Sequence, residues 1–359
     1  MKIAFLGNFR VPYTSENDYL WTLREMGHEV VPLQETEVTG DMVESVARQS
    51  DYFFWVHTHG WITPGKPMSE VLVNIRKAGV VSFAYHLDLW MGISREKDMK
   101  SDPFWGVDHF FTVDPQMADY LNSLESGPKG HYIKPGVVLR ECYMVEAEKK
   151  KDIIFVGSYN YHPEHKYRQK LIDWLSTTYG DRFELWGPQG KGLVRGNELN
   201  KLYGSTKIVI GDSLCKDFCY PGYWSDRAYE TLGRGGFLIH PFIVGMDEEF
   251  EDKKHLVYYT YDDFDGLKEL IDYYLEHDKE REKIRKHGHE SVKISKTYTD
   301  RMKQILEILE NEPRPEVVEE PERDKWDVLV DRINRISVAH PIGDLIRRSD
   351  VIKIIRDMR

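Results

Sequence analysis

One short stretch, WSDRAYETLGRGGFLI (224–239), holds three polar side chains at a spacing that can bind a charged ligand. Ser225 stands where a helix can begin. Arg227 and Glu230 are three residues apart and therefore share a helical face. A serine N-cap leaves backbone N–H groups of the first turn free, and these groups with the positive end of the helix dipole favour an anion. Arg227 adds a charge-assisted, bidentate-capable contact to phosphate. Glu230, one turn deeper, can accept two hydrogen bonds from vicinal hydroxyls such as those of a ribose. Gly235-Gly236 then ends the helix and turns it into the strand 236–241. Phosphate at the helix mouth and ribose beside the carboxylate describe a nucleoside diphosphate. The plainer alternative is a surface Arg–Glu pair on a structural helix.

A second group lies in the first half of the chain. FAYHLDLWMG (83–92) puts His86 and Asp88 just after an apolar run, and a histidine pKa suits proton transfer near neutrality. VHTHGW (56–61) brings His57, His59 and Trp61 out of another run together, and Gly7 with Asn8 forms a turn after a third. These residues are candidates for an acceptor pocket or for ordinary loop and cap positions. HPEH (162–165) and HGH (287–289) read as solvated histidines rather than ligands. Cys215 and Cys219 lack a second Cys/His pair at zinc-site spacing, so no metal is assigned.

Positioning these groups is the task of a repeating strand–helix pattern. IAFLG (3–7), EVVPL (29–33), YFFWVH (52–57), VVSFAY (80–85) and HFFTV (109–113) are continuous apolar runs, the mark of parallel strands buried on both faces. Helices are expected at 16–26, 41–49, 67–78 and 115–123. The pattern breaks near Pro135-Gly136 and restarts after EAEKKKD (146–152). IIFVG (153–157), FELWG (183–187), KIVIGD (207–212), GFLIHP (236–241) and LVYYT (256–260) are the second set of strands. Their helices are expected at 164–178, 197–204, 225–234, 263–276, 279–295 and 298–310. The expected architecture is α/β: two Rossmann-like, doubly wound domains, 1–145 and 146–310, facing a cleft. A Pro/Glu-rich linker (311–323) leads to a helical tail (324–359) with 9 Lys/Arg against 6 Asp/Glu from Arg323 onward. The tail suits contact with the body, a second copy or another partner.

The residues of the opening stretch resemble the donor-binding motif of family-4-like glycosyltransferases of the GT-B fold. The branch named for a spore maturation protein (CgeB-like) has the pattern Ser-x-Arg-x-x-Glu before a glycine and an apolar strand. Ser225, Arg227, Glu230 and Gly235 fall on it. DIIFVGSYNYHPEHKYRQKLIDWL (152–175) is similar to that family's Val-Gly-Ser strand and the basic helix after it, and the likeness continues to about 310. The resemblance implies a nucleotide-sugar donor as co-substrate and no further cofactor, with UDP-glucose the first guess. Glu230 would hold the ribose, and Arg227, Ser225 and Arg168 (or Lys166) the diphosphate. Gly157 and Ser158 would line the phosphate pocket, with Gly187 and Pro188 near the base. Gly222 stands where many relatives carry an additional glutamate. Metal-dependent transferases commonly use Asp-x-Asp at a strand end; Asp88-Leu89 lacks the second Asp and DYFFWVH (51–57) offers no pair, so a metal-independent site is expected, and the resemblance implies retention of anomeric configuration. His86 would contact the donor sugar or act as base, with Asp88 as proton acceptor.

Net charge is −11 and three cysteines are present, so a general nucleic-acid-coating role and a disulfide framework are not expected. The sequence begins with neither a signal-peptide pattern nor a membrane span, and a cytoplasmic location is expected. The lead reading is a glycosyltransferase whose acceptor is a glycan, a protein or a modified base in DNA, as in phage-type DNA-base glycosyltransferases. A nucleotide-sugar epimerase and a non-catalytic donor-binding module are the alternatives.

Overall fold

The computed structural model describes residues 1–100 and 102–317. Met1–Pro315 form one compact unit. Its first half alternates β1 (Lys2–Gly7), α1 (Ser15–Glu25), β2 (Glu29–Gln34), α2 (Gly40–Ala47), β3 (Tyr52–Trp55), α3 (Met68–Lys77), β4 (Val81–His86), β5 (His109–Thr112), α4 (Pro115–Ser123) and β6 (Lys129–Tyr132). The second half runs β7 (Lys151–Val156), α5 (Tyr167–Tyr179), β8 (Phe183–Trp186), α6 (Gly196–Gly204), β9 (Thr206–Ile210), α7 (Arg227–Gly233), β10 (Leu238–Pro241), β11 (Val257–Tyr259), α8 (Phe264–Glu276), α9 (Asp278–Ser295) and α10 (Tyr298–Asn311). Every apolar run of the sequence became a strand. β6, KGHY, has no such run, because it closes the edge of its sheet and only one of its residues is buried.

Both sheets are parallel throughout. The first has the order β2-β1-β3-β4-β5-β6 and the second β11-β10-β9-β7-β8. Read from β8, the second order repeats the first, minus the last strand. In such sheets the crevice opens where the strand order reverses, beyond the carboxyl ends of the two central strands. Here those strands are β1 and β3 in one half, β7 and β9 in the other. Gly7 ends β1 and His57 follows β3; Gly157 and Asp212 follow the second pair. Ile3, Phe5, Phe54, Phe83, Ile153 and Phe155 are wholly buried beneath these ends, each side chain contributing about 1.5–3 kcal/mol by leaving water.

The halves touch around the crevice. The Leu89 N–H donates to the Tyr223 hydroxyl at 3.2 Å, and the Tyr132 hydroxyl to the Gly222 carbonyl at 2.8 Å. The chain crosses between the sheets once after β6 and again before α10, which packs back on α1 with the Tyr19 and Tyr298 rings 4.9 Å apart. The two crossings lie side by side: Val137 and Thr297 pair as an isolated parallel bridge, and the Tyr298 N–H donates to the Val137 carbonyl at 2.9 Å. The linker expected at 311–323 is described as far as 317, without regular structure beyond α10. The tail helices expected within 324–359 lie outside the described residues. Among the described residues, no helix is long and apolar enough to cross a membrane.

Candidate active site

The site begins with two strand ends and two helix starts. β7 delivers its chain into Gly157, β9 into Asp212, and α5 and α7 present Arg168 and Arg227 in their first turns. α7 starts later than the sequence suggested, at Arg227 rather than Ser225: Asp226, with φ −53° and ψ −21°, is the cap residue, its carbonyl accepting the Glu230 N–H at 2.9 Å. Ser225 still works as a cap: its hydroxyl accepts the Arg227 N–H at 3.2 Å and donates to the Asp226 carboxylate at 3.0 Å.

Arg168 is 1% exposed, and its Nε donates to Asp212 at 2.8 Å. His165 reaches the same carboxylate at 3.1 Å. Burial would raise the pKa of Asp212, but the Arg168 charge and the His165 hydrogen bond outweigh it and hold the pKa at about 2. The Arg168 guanidinium lies 4.0 Å over the Tyr161 ring. The Arg227 guanidinium lies against Gly157, where a Cβ would sit 2.4 Å from its Nη1, so this position admits no side chain while Arg227 stays in place. Burial and then the neighbouring Arg168 charge lower the Arg227 pKa. Among the described residues, Nη1 of Arg168 and Nη1 of Arg227 are both buried without a hydrogen-bond partner. Two cations that repel each other, each with a buried donor unused, form a receptor for an anion.

Glu230 lies one turn further along α7, its side chain 35% exposed and 3.6 Å from Arg234. Burial, followed by the nearby Asp226 charge, raises its pKa to about 7. Arg234 is itself buried and bound to Asn200 at 2.7 Å and to Glu141. Gly187 is buried against Gly157, a Cβ there meeting the Gly157 carbonyl oxygen at 2.2 Å, while Pro188 and Lys166 are exposed and Ser158 is half-buried. Gly222 packs against Pro115 of the first half, where a Cβ would sit 2.7 Å from the proline ring.

Opposite these groups, a cavity of about 370 Å³ is walled by His57, His59, His86 and Asp88 from the first half and by Tyr161, Ser225 and Asp226 from the second. His86 is 6% exposed; its Nδ1 accepts the Asp88 N–H at 3.2 Å, and its Nε2 lies 3.1 Å from His59 Nε2. Burial lowers its pKa to about 4, so it enters the cavity as a neutral imidazole. The Asp88 carboxylate is half-exposed and 3.5 Å from Arg95. Gly7 packs on Glu16 of the cavity wall, a Cβ there meeting the Glu16 side chain at 2.9 Å. Asn8 turns instead to its own loop, accepting the Arg10 N–H at 3.3 Å. Trp61 lines a second, open cavity of about 840 Å³ that shares His57 and His59 with the first.

Several residues of the site carried no sequence signal. Asp226, Tyr161, Asp212 and His165 acquire their roles from tertiary packing; a carboxylate directly after an apolar strand was the one clue to Asp212. The expectation that the histidines at 162–165 and 287–289 are solvated fails for two of them. His165 is 4% exposed on Asp212, and His289 is 7% exposed, its Nδ1 2.7 Å from the Gly233 carbonyl. Cys215 is buried, Cys219 exposed, and both are free.

Comparison with known proteins agrees with this geometry. Residues 167–307 match a family profile described as "Glycosyl transferase-like". No curated protein sequence is detectably similar to the chain. Among solved structures, the fold is similar to HepE from Anabaena in complex with UDP and glucose, at 12% identity and TM-score 0.57, covering 87% of this chain and 100% of that one. It is similar to a glycosyltransferase from Rickettsia africae, at 12% identity and TM-score 0.57, covering 87% and 99%. It is also similar to an alpha-glucosyltransferase in complex with UDP-glucose and DNA containing an abasic site, at 11% identity and TM-score 0.65, covering 87% and 100%. The two sheets thus adopt the GT-B architecture of these solved structures, and the profile match falls on the second half, which supplies the paired arginines.

Proposed function

We propose that the protein transfers a sugar from a nucleoside-diphosphate sugar to an acceptor hydroxyl held by its first half. The observation that carries this reading is the pair of buried guanidinium groups with unused Nη1 donors beside Gly157. Breaking the sugar–diphosphate bond builds negative charge on the leaving group, and preorganised cations aimed at that charge lower the barrier. Arg168, fixed by Asp212, and Arg227, fixed against Gly157, fill that role without a bridging metal. Glu230 holds the ribose hydroxyls. The sugar projects into the 370 Å³ cavity, where neutral His86 contacts it and Asp88 receives the acceptor's proton. Transfer proceeds with retention of anomeric configuration. Structural neighbours crystallised with UDP and UDP-glucose make UDP-glucose the first donor to test.

A thermal-shift and calorimetric screen across UDP-, GDP- and ADP-sugars tests the reading. A donor at a hundred times its dissociation constant adds about 2.7 kcal/mol to stability. Binding followed by slow release of free sugar supports transfer, an isomerised nucleotide-sugar points to an epimerase, and binding with no turnover to a non-catalytic module. The absence of any binding removes the proposal.

Transfer to a base in DNA is the second reading, favoured by the similarity to the DNA-bound glucosyltransferase. Against it, residues 1–145 carry 13 Lys/Arg and 19 Asp/Glu, an unfavourable surface for a polyanion. Donor-dependent labelling of hydroxymethylated DNA would reverse that preference.

A further inference from the structure

Between the 370 Å³ and 840 Å³ cavities lies a cluster that donor binding does not use. Nε2 of His57 is 3.2 Å from Asp102 Oδ2, and Nδ1 of His59 is 3.6 Å from the same oxygen. The three ligand atoms lie within 4.8 Å of one another. A tetrahedral ion with bonds of about 2.0–2.1 Å to nitrogen and oxygen separates its ligands by roughly 3.3 Å, close to these spacings. The surroundings hold each ligand in place. Asp102 Oδ1 accepts the Phe104 N–H at 2.9 Å, leaving Oδ2 to the imidazoles. His57 turns its other nitrogen to Glu35, a wholly buried carboxylate that also accepts the Trp55 indole N–H and the Thr58 N–H, each at 3.0 Å. A carboxylate behind a histidine holds the proton on the nitrogen that faces it, here Nδ1, and frees the other, Nε2, for a metal.

Charge points the same way. Among the described residues, neither Glu35 nor Asp102 has a lysine or arginine partner, so two carboxylates face imidazoles alone. From this we infer that His57 Nε2, His59 Nδ1 and Asp102 Oδ2 bind a first-row divalent cation such as Zn²⁺, with Glu35 supporting His57. Three protein ligands with an open position toward the 840 Å³ cavity match catalytic rather than structural zinc sites. The ion leaves the diphosphate to the arginines. Binding it puts the His59 proton on Nε2, where it donates to His86 Nε2. His86 then carries its own proton on Nδ1, giving up the Asp88 N–H contact. An acceptor hydroxyl completing the coordination is a role that rests on the transferase reading; the binding of the ion does not.

The full-length chain, stripped with a chelator and dialysed, is titrated with Co²⁺ and then Zn²⁺. The expected result is one Co²⁺ per chain with a visible absorption band that Zn²⁺ abolishes. His59→Ala and Asp102→Asn each weaken affinity at least tenfold, and Glu35→Gln by 10–100-fold. Melting curves of the metal-free proteins confirm that the variants are folded, and His59, 28% exposed, is the variant least exposed to a folding defect. His57 is left intact, because its loss strands Glu35. Failure to take up stoichiometric Co²⁺, or undiminished affinity in folded His59→Ala, overturns the site. A bound ion with no donor binding would overturn the transferase reading and leave the site standing.

Discussion

Arg168 and Arg227 share one aromatic ring: their guanidinium carbons lie 5.6 and 5.7 Å from the centre of Phe155. Phe155 is the penultimate residue of β7, so the end of the strand sets the spacing of the two cations. The ring offsets part of the cost of burying them. The rest of that cost is left for an anionic ligand to recover.

Replacing Arg227 by Met separates binding from folding. The donor dissociation constant should rise about 10- to 100-fold, the loss expected for hydrogen bonds to a charged partner, ~1.5–3 kcal/mol. Without ligand the melting temperature should stay level or rise, because the variant removes one of two repelling buried charges. Calorimetry and thermal melts measure the two effects; a large drop in ligand-free stability would show that Arg227 is a structural residue.

Gly157→Ala acts on the same guanidinium from the backbone side. The new methyl would sit 2.4 Å from Arg227 Nη1, and the arginine must move. Donor affinity should fall nearly as far as in Arg227→Met, and the two changes combined should add little to either. Full additivity in a double-mutant cycle would separate Gly157 from the arginine.

Asp212 makes the second half sensitive to acid. Its folded pKa of about 2 lies below its ordinary value of 3.8, so its stabilisation is complete above that value and is lost as pH falls through 2. The span corresponds to about 2 kcal/mol. Asp212→Asn leaves Arg168 buried without its counter-charge and should cost about 3 kcal/mol at neutral pH. Denaturant unfolding between pH 2 and 7 checks both figures, and the variant should show a shallower acid dependence than the parent.

Glu230 titrates in the opposite sense. Its pKa is raised to about 7 from 4.5, so the ligand-free fold loses stability as pH climbs between those values. Asp226, Asp18, Arg195 and Arg227 are the charges that act on it. The ionised carboxylate is the better acceptor for two ribose hydroxyls, so donor affinity should strengthen from pH 6 to 8. Glu230→Gln should flatten both dependences, binding donor more weakly at pH 8 yet melting no lower than the parent there. A parent affinity independent of pH would contradict the ribose contact.

The alternation of strands and helices was legible because buried parallel strands write themselves as unbroken apolar runs, as in YFFW and HFFT. β6 was not, since an edge strand needs no such run. The motif around Arg227 and Glu230 was readable because its partners are neighbours on one helix. Its second cation, Arg168, came from resemblance, 59 residues upstream of Arg227 in sequence but beside it in space. Glu35 and Asp102 gave no sign: each lies in a loop far from His57 along the chain, and packing alone brings them to that imidazole. Asn8, by contrast, looked suitable and serves its own turn.

The paired segments at Val137 and Thr297 bear on how the crevice opens. A single connector would leave the halves free to swivel in any direction, and two distant ones would lock them. Two adjacent connectors behave as a door hinge, favouring one swing that narrows or widens the gap above the arginines while resisting rotation about the chain axis. The width of the crevice then turns on a strap no wider than two backbones.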